Sequence, residues 1–77
     1  MRKTLGTRIR EARKEKGWAM QELADRTGIS QSQISNYEHN DRSPSFAKMA
    51  KIAEVLDISL DWFALGIFND EEDSERF

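Results

Sequence analysis

The chain has 77 residues, a formal net charge of −2 and no cysteine, so the sequence predicts one small domain without disulfide bonds or thiolate metal sites. A single histidine cannot assemble a metal site, and no glycine-rich phosphate loop or carboxylate pair indicates an enzyme, so we expect neither catalytic residues nor a cofactor. The longest uninterrupted apolar run, residues 62–65, is far shorter than the ~20 residues of a membrane-spanning helix, and without a signal peptide we expect a cytoplasmic protein.

The charges are unevenly distributed along the chain. Residues 1–16 carry seven Lys or Arg against two Glu, whereas residues 70–77 carry five acidic residues against one Arg. Because local charge decides whether a surface attracts phosphate groups, the acidic overall balance does not exclude a nucleic-acid partner. Residues 1–68 are predicted to fold, and residues 69–77, which are acidic and lack apolar periodicity, are predicted to form a disordered tail.

The first helix is predicted over residues 5–16, and Gly17 ends it. Its apolar stripe consists of Leu5, Ile9, Ala12 and the aliphatic stem of Lys16. Arg13 lies at the edge of this stripe, where an unpaired charge would be costly, so we expect it to have a partner. Two further basic residues, Arg8 and Lys14, are interpreted either as part of a solvated face or as contacts for an anionic partner.

Residues 20–39 form the centre of the predicted fold. A second helix over residues 20–27 and a third over residues 31–39 are separated by Gly28, which can adopt the positive φ of a sharp turn. The small Ala24 allows the two backbones to cross closely, and the residues predicted to wedge the corner are Ile29 and Ile34. This pattern predicts a helix-turn-helix.

The third helix presents an unusual outer face. With Ile34 directed inward, Tyr37 and Glu38 flank it. The outward or marginal positions are Gln31, Ser32, Gln33, Ser35, Asn36 and His39. Solvated helix faces usually carry Glu and Lys, whereas this one carries short amides and hydroxyls. On polarity alone a plain solvated surface remains the simpler interpretation.

Two more helices are predicted over residues 46–56 and 60–65, after the capping residues Ser45 and Ser59. The apolar stripe of the fourth helix, predicted to lie in the core, is Phe46, Met49, Ile52, Ala53 and Leu56. In the fifth, Phe63 is expected to enter the core. The apolar residues around it are Trp62, Leu65, Ile67 and Phe68. They fit two interpretations, packing over the core or an exposed surface that binds a second copy.

In order and spacing, the stretches GWAMQELADRTGIS, ISNYE and SPSFAKMAKIAEVLDISLDWF resemble the lambda-repressor-like helix-turn-helix family of phage and bacterial regulators. The similarity covers roughly residues 5–66. It implies an all-α, five-helix fold and a sequence-specific, double-stranded DNA-binding transcriptional regulator, of the prophage or bacterial repressor type, that acts as a homodimer on an operator. The alternatives with the same fold are an antitoxin, whose protein partner would bind the apolar C-terminal surface, and a restriction-modification controller.

The resemblance also implies roles for individual residues. Base contacts are expected from Gln31, Ser32, Gln33 and Asn36, and phosphate contacts from Arg10, Gln21, His39, Arg42 and Lys48. Arg13 is expected to pair with Glu38, and the dimer surface is expected at Trp62, Leu65, Ile67 and Phe68. The sequence departs from the family at Met20, where a phosphate-contacting Gln is usual, and at Ala19, where Ser or Thr usually caps. Asn40 and Asp57 stand where the family usually has glycine.

Overall fold

The computed structural model describes residues 4–61 and Phe63. Its elements are α1 (Leu5–Glu15), α2 (Met20–Thr27), α3 (Gln31–Glu38) and α4 (Phe46–Leu56). The described residues contain helices and no strand, which confirms the all-α class. A fifth helix is not confirmed, because beyond the helical residues Leu60, Asp61 and Phe63 its predicted positions lie outside the described residues. The predicted tail and dimer surface lie outside them as well.

Side-chain caps fix the starts of three helices. Hydroxyl oxygens accept backbone N–H groups at 3.2 Å at the start of α1 (Thr4 from Thr7), α3 (Ser30 from Gln33) and α4 (Ser45 from Lys48). Such bonds satisfy N–H groups that have no partner within the helix. At the start of α2, Ala19 has the extended backbone of a capping residue but makes no such bond.

Replacing Ala19 by serine is expected to stabilise the domain by about 1 kcal/mol, because serine supplies the missing acceptor and forms the Ser-x-x-Glu capping box with Glu22. Chemical denaturation of the variant measures this gain. Ser30→Ala, which removes an existing cap, is the matched control and should cost a similar amount. An Ala19→Ser variant no more stable than the parent would contradict the prediction.

A left-handed residue follows each of the four helices and allows the chain to turn: Gly17, Gly28, Asn40 and Asp57. Gly28 has a φ of +77°, and Thr27 supports the turn because its Oγ1 donates to the Leu23 carbonyl at 2.8 Å and accepts the Ile29 N–H at 3.2 Å. The non-glycine residues Asn40 and Asp57 have φ values of 62° and 60°. Asx residues tolerate this conformation best among non-glycine residues, so Asn40 and Asp57 can form turns at positions where glycine was expected.

The core lies where the helices meet. Its buried apolar residues are Leu5, Ile9, Ala12, Leu23, Ala24, Ile29, Ile34, Tyr37, Met49, Ile52, Ala53, Leu56 and Phe63. The two predicted wedge residues and Phe63 are among them, as expected. Within the described residues, no helix combines the length and hydrophobicity that crossing a bilayer requires.

One expectation about burial is wrong, and one of two open interpretations is excluded. Phe46 is 69% exposed rather than part of the core. It is the first residue of α4, and helical side chains lean toward the N-terminus of their helix, so its ring extends past the helix end. Arg8 is only 3% exposed rather than part of a solvated face. It lies three residues after Leu5 and four before Ala12, which places it on the buried side of α1.

Candidate nucleic-acid interface

The first turn of α3 projects its polar side chains away from the domain. Gln31, Ser32 and Gln33 are exposed, and Ser35 and Asn36 are half-buried. On the opposite side Ile34, Tyr37 and Glu38 are buried. Because the buried side fixes the rotation of the helix about its axis, the four residues predicted to contact bases share the outer part of one helix.

A buried ion pair fastens the end of α3 to α1. The Arg13 Nε lies 2.7 Å from Glu38 Oε2, and Arg13 Nη2 lies 3.0 Å from Oε1, which is a bidentate arrangement. The two side chains are 9% and 1% exposed. The hydrogen bond with the Glu38 carboxylate raises the pKa of the Arg13 guanidinium, burial opposes this, and the carboxylate's charge adds to it. The predicted partners therefore lie together, and the guanidinium of Arg13 stays protonated.

The same guanidinium has a third partner that the sequence did not indicate. Arg13 Nη1 donates to the Trp18 carbonyl oxygen at 2.8 Å. The chain after α1 turns back so that the Trp18 N–H donates to the Arg13 carbonyl at 3.2 Å, and Gly17 at φ +77° permits this turn. Arg13 thus links the end of α1, the segment before α2 and the end of α3.

A glycine in α1 allows the end of α3 to approach closely. A Cβ at Gly6 would lie 2.4 Å from the Tyr37 carbonyl oxygen and 2.5 Å from that of Glu38. Sequence reasoning missed this contact. The available signal was a glycine inside a predicted helix, which costs ~0.8–1.0 kcal/mol relative to alanine and therefore needs a structural reason.

The predicted phosphate contacts occupy different environments. Arg42 is exposed in the loop after α3, whereas Arg10 and Lys48 are half-buried. Gln21 is exposed, but its amide donates to Asp25 Oδ1 at 2.8 Å, so it would have to exchange this bond for a phosphate. His39 ends α3, with its Nδ1 2.8 Å from the Ser35 carbonyl oxygen, a geometry that assigns the hydrogen to Nδ1.

A cation–aromatic cluster surrounds Trp18, just before α2, and the sequence did not indicate it. The Arg26 guanidinium lies 4.4 Å and the Lys16 Nζ 5.9 Å from the centre of the half-buried Trp18 ring. Arg26 also forms an exposed ion pair with Glu22 at 2.6 Å. Among the described residues, no group of three or more His, Asp or Glu side chains could hold a metal ion.

Comparison with known proteins agrees with this geometry. A helix-turn-helix family model (HTH_3) matches residues 9–63. The HTH-type transcriptional regulator SinR of Bacillus subtilis is 40% identical over 57 residues, which make up 73% of this chain and 51% of SinR. The chain therefore spans about half the length of this relative. Antitoxin HipB of Escherichia coli O6:H1 is 36% identical over 56 residues, 73% of this chain and 60% of HipB.

Solved structures extend the similarity to three dimensions. The crystal structure of SinR, described as the master regulator for biofilm formation, in complex with DNA has a TM-score of 0.76 at 37% identity and covers 79% of this chain and 98% of that chain. The P22 c2 repressor in complex with a synthetic operator has a TM-score of 0.79 at 26% identity. The similarity covers 83% of this chain and 97% of that chain. Together with the family match, these similarities confirm the resemblance inferred from the sequence: the chain belongs to the lambda-repressor-like helix-turn-helix family.

Proposed function

We propose that the chain is a sequence-specific DNA-binding transcriptional regulator, of the prophage or bacterial repressor type, whose α3 enters the major groove. The outer face of α3 carries this proposal. All of α3 is described, and its exposed positions are amides and hydroxyls without a charged group, while Glu38 is buried in the ion pair. Gln and Asn side chains can pair bidentately with N6 and N7 of adenine. SinR and the P22 c2 repressor, both similar to this chain, were solved in complex with DNA.

The predicted site residues divide into those that would contact bases and those that would contact phosphates. Base edges would be contacted by Gln31, Ser32, Gln33 and Asn36, and phosphates by Arg10, Gln21, His39, Arg42 and Lys48. Arg42 is the strongest phosphate candidate, because it is an exposed cation in the loop that follows α3. Such contacts fix the position of the helix on the duplex, whereas the contacts to base edges supply sequence specificity.

A homodimer completes the proposal. One recognition helix contacts only a few base pairs, too few for a unique site in a genome, so two copies are needed. The proposed dimer surface is Trp62, Leu65, Ile67 and Phe68, chosen from the sequence because this apolar segment exceeds what a small core needs. The dimer would occupy an operator that overlaps a promoter and exclude polymerase, which requires the protein to share the cytoplasmic compartment with the chromosome.

The similarity to HipB supports an antitoxin as the second candidate. In that case a protein partner would cover the apolar C-terminal surface. The two functions overlap where an antitoxin also binds DNA. A mobility-shift assay on the isolated chain tests the regulator directly: a regulator shifts duplex DNA with strong salt dependence, and a chain that shifts none at low salt contradicts the regulator and leaves the antitoxin.

Asn36→Ala and Arg42→Ala are expected to weaken DNA binding in different ways. Loss of a base contact at Asn36 should cost about 1–3 kcal/mol on the preferred sequence and relax the preference at one base position. Loss of a phosphate contact at Arg42 should weaken binding to all sequences alike and reduce the salt slope by about 1. Titration of each variant with single-position variants of the operator measures both effects.

Lys51→Ala serves as the control, because Lys51 is exposed on α4 and pairs with Glu54 at 3.8 Å. It should alter neither the base preference nor, beyond a small electrostatic change, the affinity. If Asn36→Ala lost affinity equally on every operator variant, Asn36 would not contact a base.

A further inference from the structure

The side chain of Asn40 joins the end of α3 to the start of α1. Its Oδ1 accepts the Gly6 N–H at 3.1 Å, and its Nδ2 donates to Thr4 Oγ1 at 2.9 Å. Gly6 lies in the first turn of α1, where a backbone N–H has no partner within the helix. Thr4 Oγ1 already accepts the N–H of Thr7. Asn40, which lies just beyond the end of α3, therefore completes the cap of α1 across 34 residues of sequence.

The backbone at Asn40 shapes the segment that follows α3. With a φ of 62°, Asn40 lets its own N–H donate to the Tyr37 carbonyl at 3.1 Å and the Asp41 N–H donate to the Asn36 carbonyl at 2.9 Å. The Arg42 N–H also reaches the Asn36 carbonyl, at 3.4 Å. This is a Schellman end, and it binds the backbone of Arg42 to that of Asn36.

We infer that Asn40 is a positioning residue for sequence-specific DNA binding. Its amide holds the last turn of α3 at a fixed angle to α1, so that Asn36 and Arg42 meet the base edges and the phosphates together. The inference rests on the proposed function. The left-handed turn alone does not require the amide, because glycine adopts it without strain. The contributions of the turn and of the two side-chain bonds can therefore be separated by substitution.

Asn40→Gly keeps the turn and removes both bonds. Asp57→Gly is the matched control, because it makes the same kind of change at the left-handed residue that ends α4. For each variant, the ratio of affinities for the preferred duplex and a scrambled duplex is measured at a temperature where all proteins are folded. We expect the ratio to fall about three- to tenfold in Asn40→Gly, a part of the discrimination that one bidentate base contact supplies. It should stay unchanged in Asp57→Gly.

A second measurement tests the link between the helices without DNA. The Gly6 amide should exchange its hydrogen with solvent faster in Asn40→Gly than in the parent and in Asp57→Gly, because it has lost its acceptor. An unchanged affinity ratio in Asn40→Gly contradicts the positioning role of Asn40 but leaves the proposed function intact. So does an equal loss on both duplexes, which would make the bonds purely structural. A parent without sequence preference contradicts the proposed function, and the inference with it.

Discussion

Replacing Arg13 by methionine is expected to lower the free energy of unfolding by about 3–5 kcal/mol, because the Glu38 carboxylate is then buried without a partner. The guanidinium makes both bonds to that carboxylate and a third to the Trp18 carbonyl. A domain of 77 residues is stable by only about 4–12 kcal/mol, at ~0.05–0.15 kcal/mol per residue. The substitution therefore removes a large part of the total stability. Chemical denaturation monitored by circular dichroism measures the loss.

A double variant separates the ion pair from simple loss of packing. Arg13→Met combined with Glu38→Leu removes both charges and should be more stable than Arg13→Met alone, since apolar groups can replace a buried pair at little net cost. Lys51→Met breaks an exposed pair and should change stability by less than about 1 kcal/mol. If Arg13→Met and Glu38→Gln each left the melting temperature unchanged, the pair would not contribute to stability.

Gly6→Ala is expected to destabilise the domain by about 2 kcal/mol or more, although helix propensity alone predicts a gain of ~0.8–1.0 kcal/mol. The new Cβ would lie 2.4 and 2.5 Å from the carbonyl oxygens of Tyr37 and Glu38. These are backbone atoms in the last turn of α3, so relief requires α1 and α3 to separate. Overpacking commonly costs ~1–3 kcal/mol even where flexible side chains can move.

The sign of the change in the free energy of unfolding decides whether the steric clash or the gain in helix propensity dominates in Gly6→Ala. Gly17→Ala is the control, because a Cβ there would meet nothing within 4 Å and the only cost is the positive φ of 77°. That cost is about 1–2 kcal/mol. A Gly6→Ala variant more stable than the parent would contradict the close approach of α1 and α3. A loss that accompanies weaker DNA binding would show that the spacing of these helices sets the position of α3.

Local sequence signals predicted the helices well. The bounds of α2 and α4 agree with the predicted ranges, and α1 and α3 are each one residue shorter. These bounds depend on apolar periodicity and on capping residues such as Ser30 and Ser45, which act within one turn of the chain. Ile34 and Glu38 were also placed correctly on the buried side of α3, because a single inward residue fixes the remaining positions of a helix.

Apart from the Arg13–Glu38 pair, which the family resemblance implied, the contacts between helices were the part that the sequence did not reveal. Phe46 fits the apolar periodicity of α4. This periodicity identifies the inward face of a helix, but it does not show whether another element of the fold covers the first residue of that face. A backbone atom of another segment takes part in the close approach at Gly6, in the bond from Arg13 to the Trp18 carbonyl and in the bond from the Gly6 N–H to Asn40. No residue type signals such atoms, so only the folded structure identifies them.

Selection of bound duplexes from a random pool, followed by titration of the enriched duplex against a scrambled one, tests the central claim most directly. The account predicts an enriched sequence with two related half-sites about 34 Å apart, the spacing of successive major grooves. Affinity for it should exceed that for the scrambled duplex by at least about 1,000-fold and fall steeply with salt. A pool without enrichment, or equal affinity for both duplexes, would contradict sequence-specific binding by this domain.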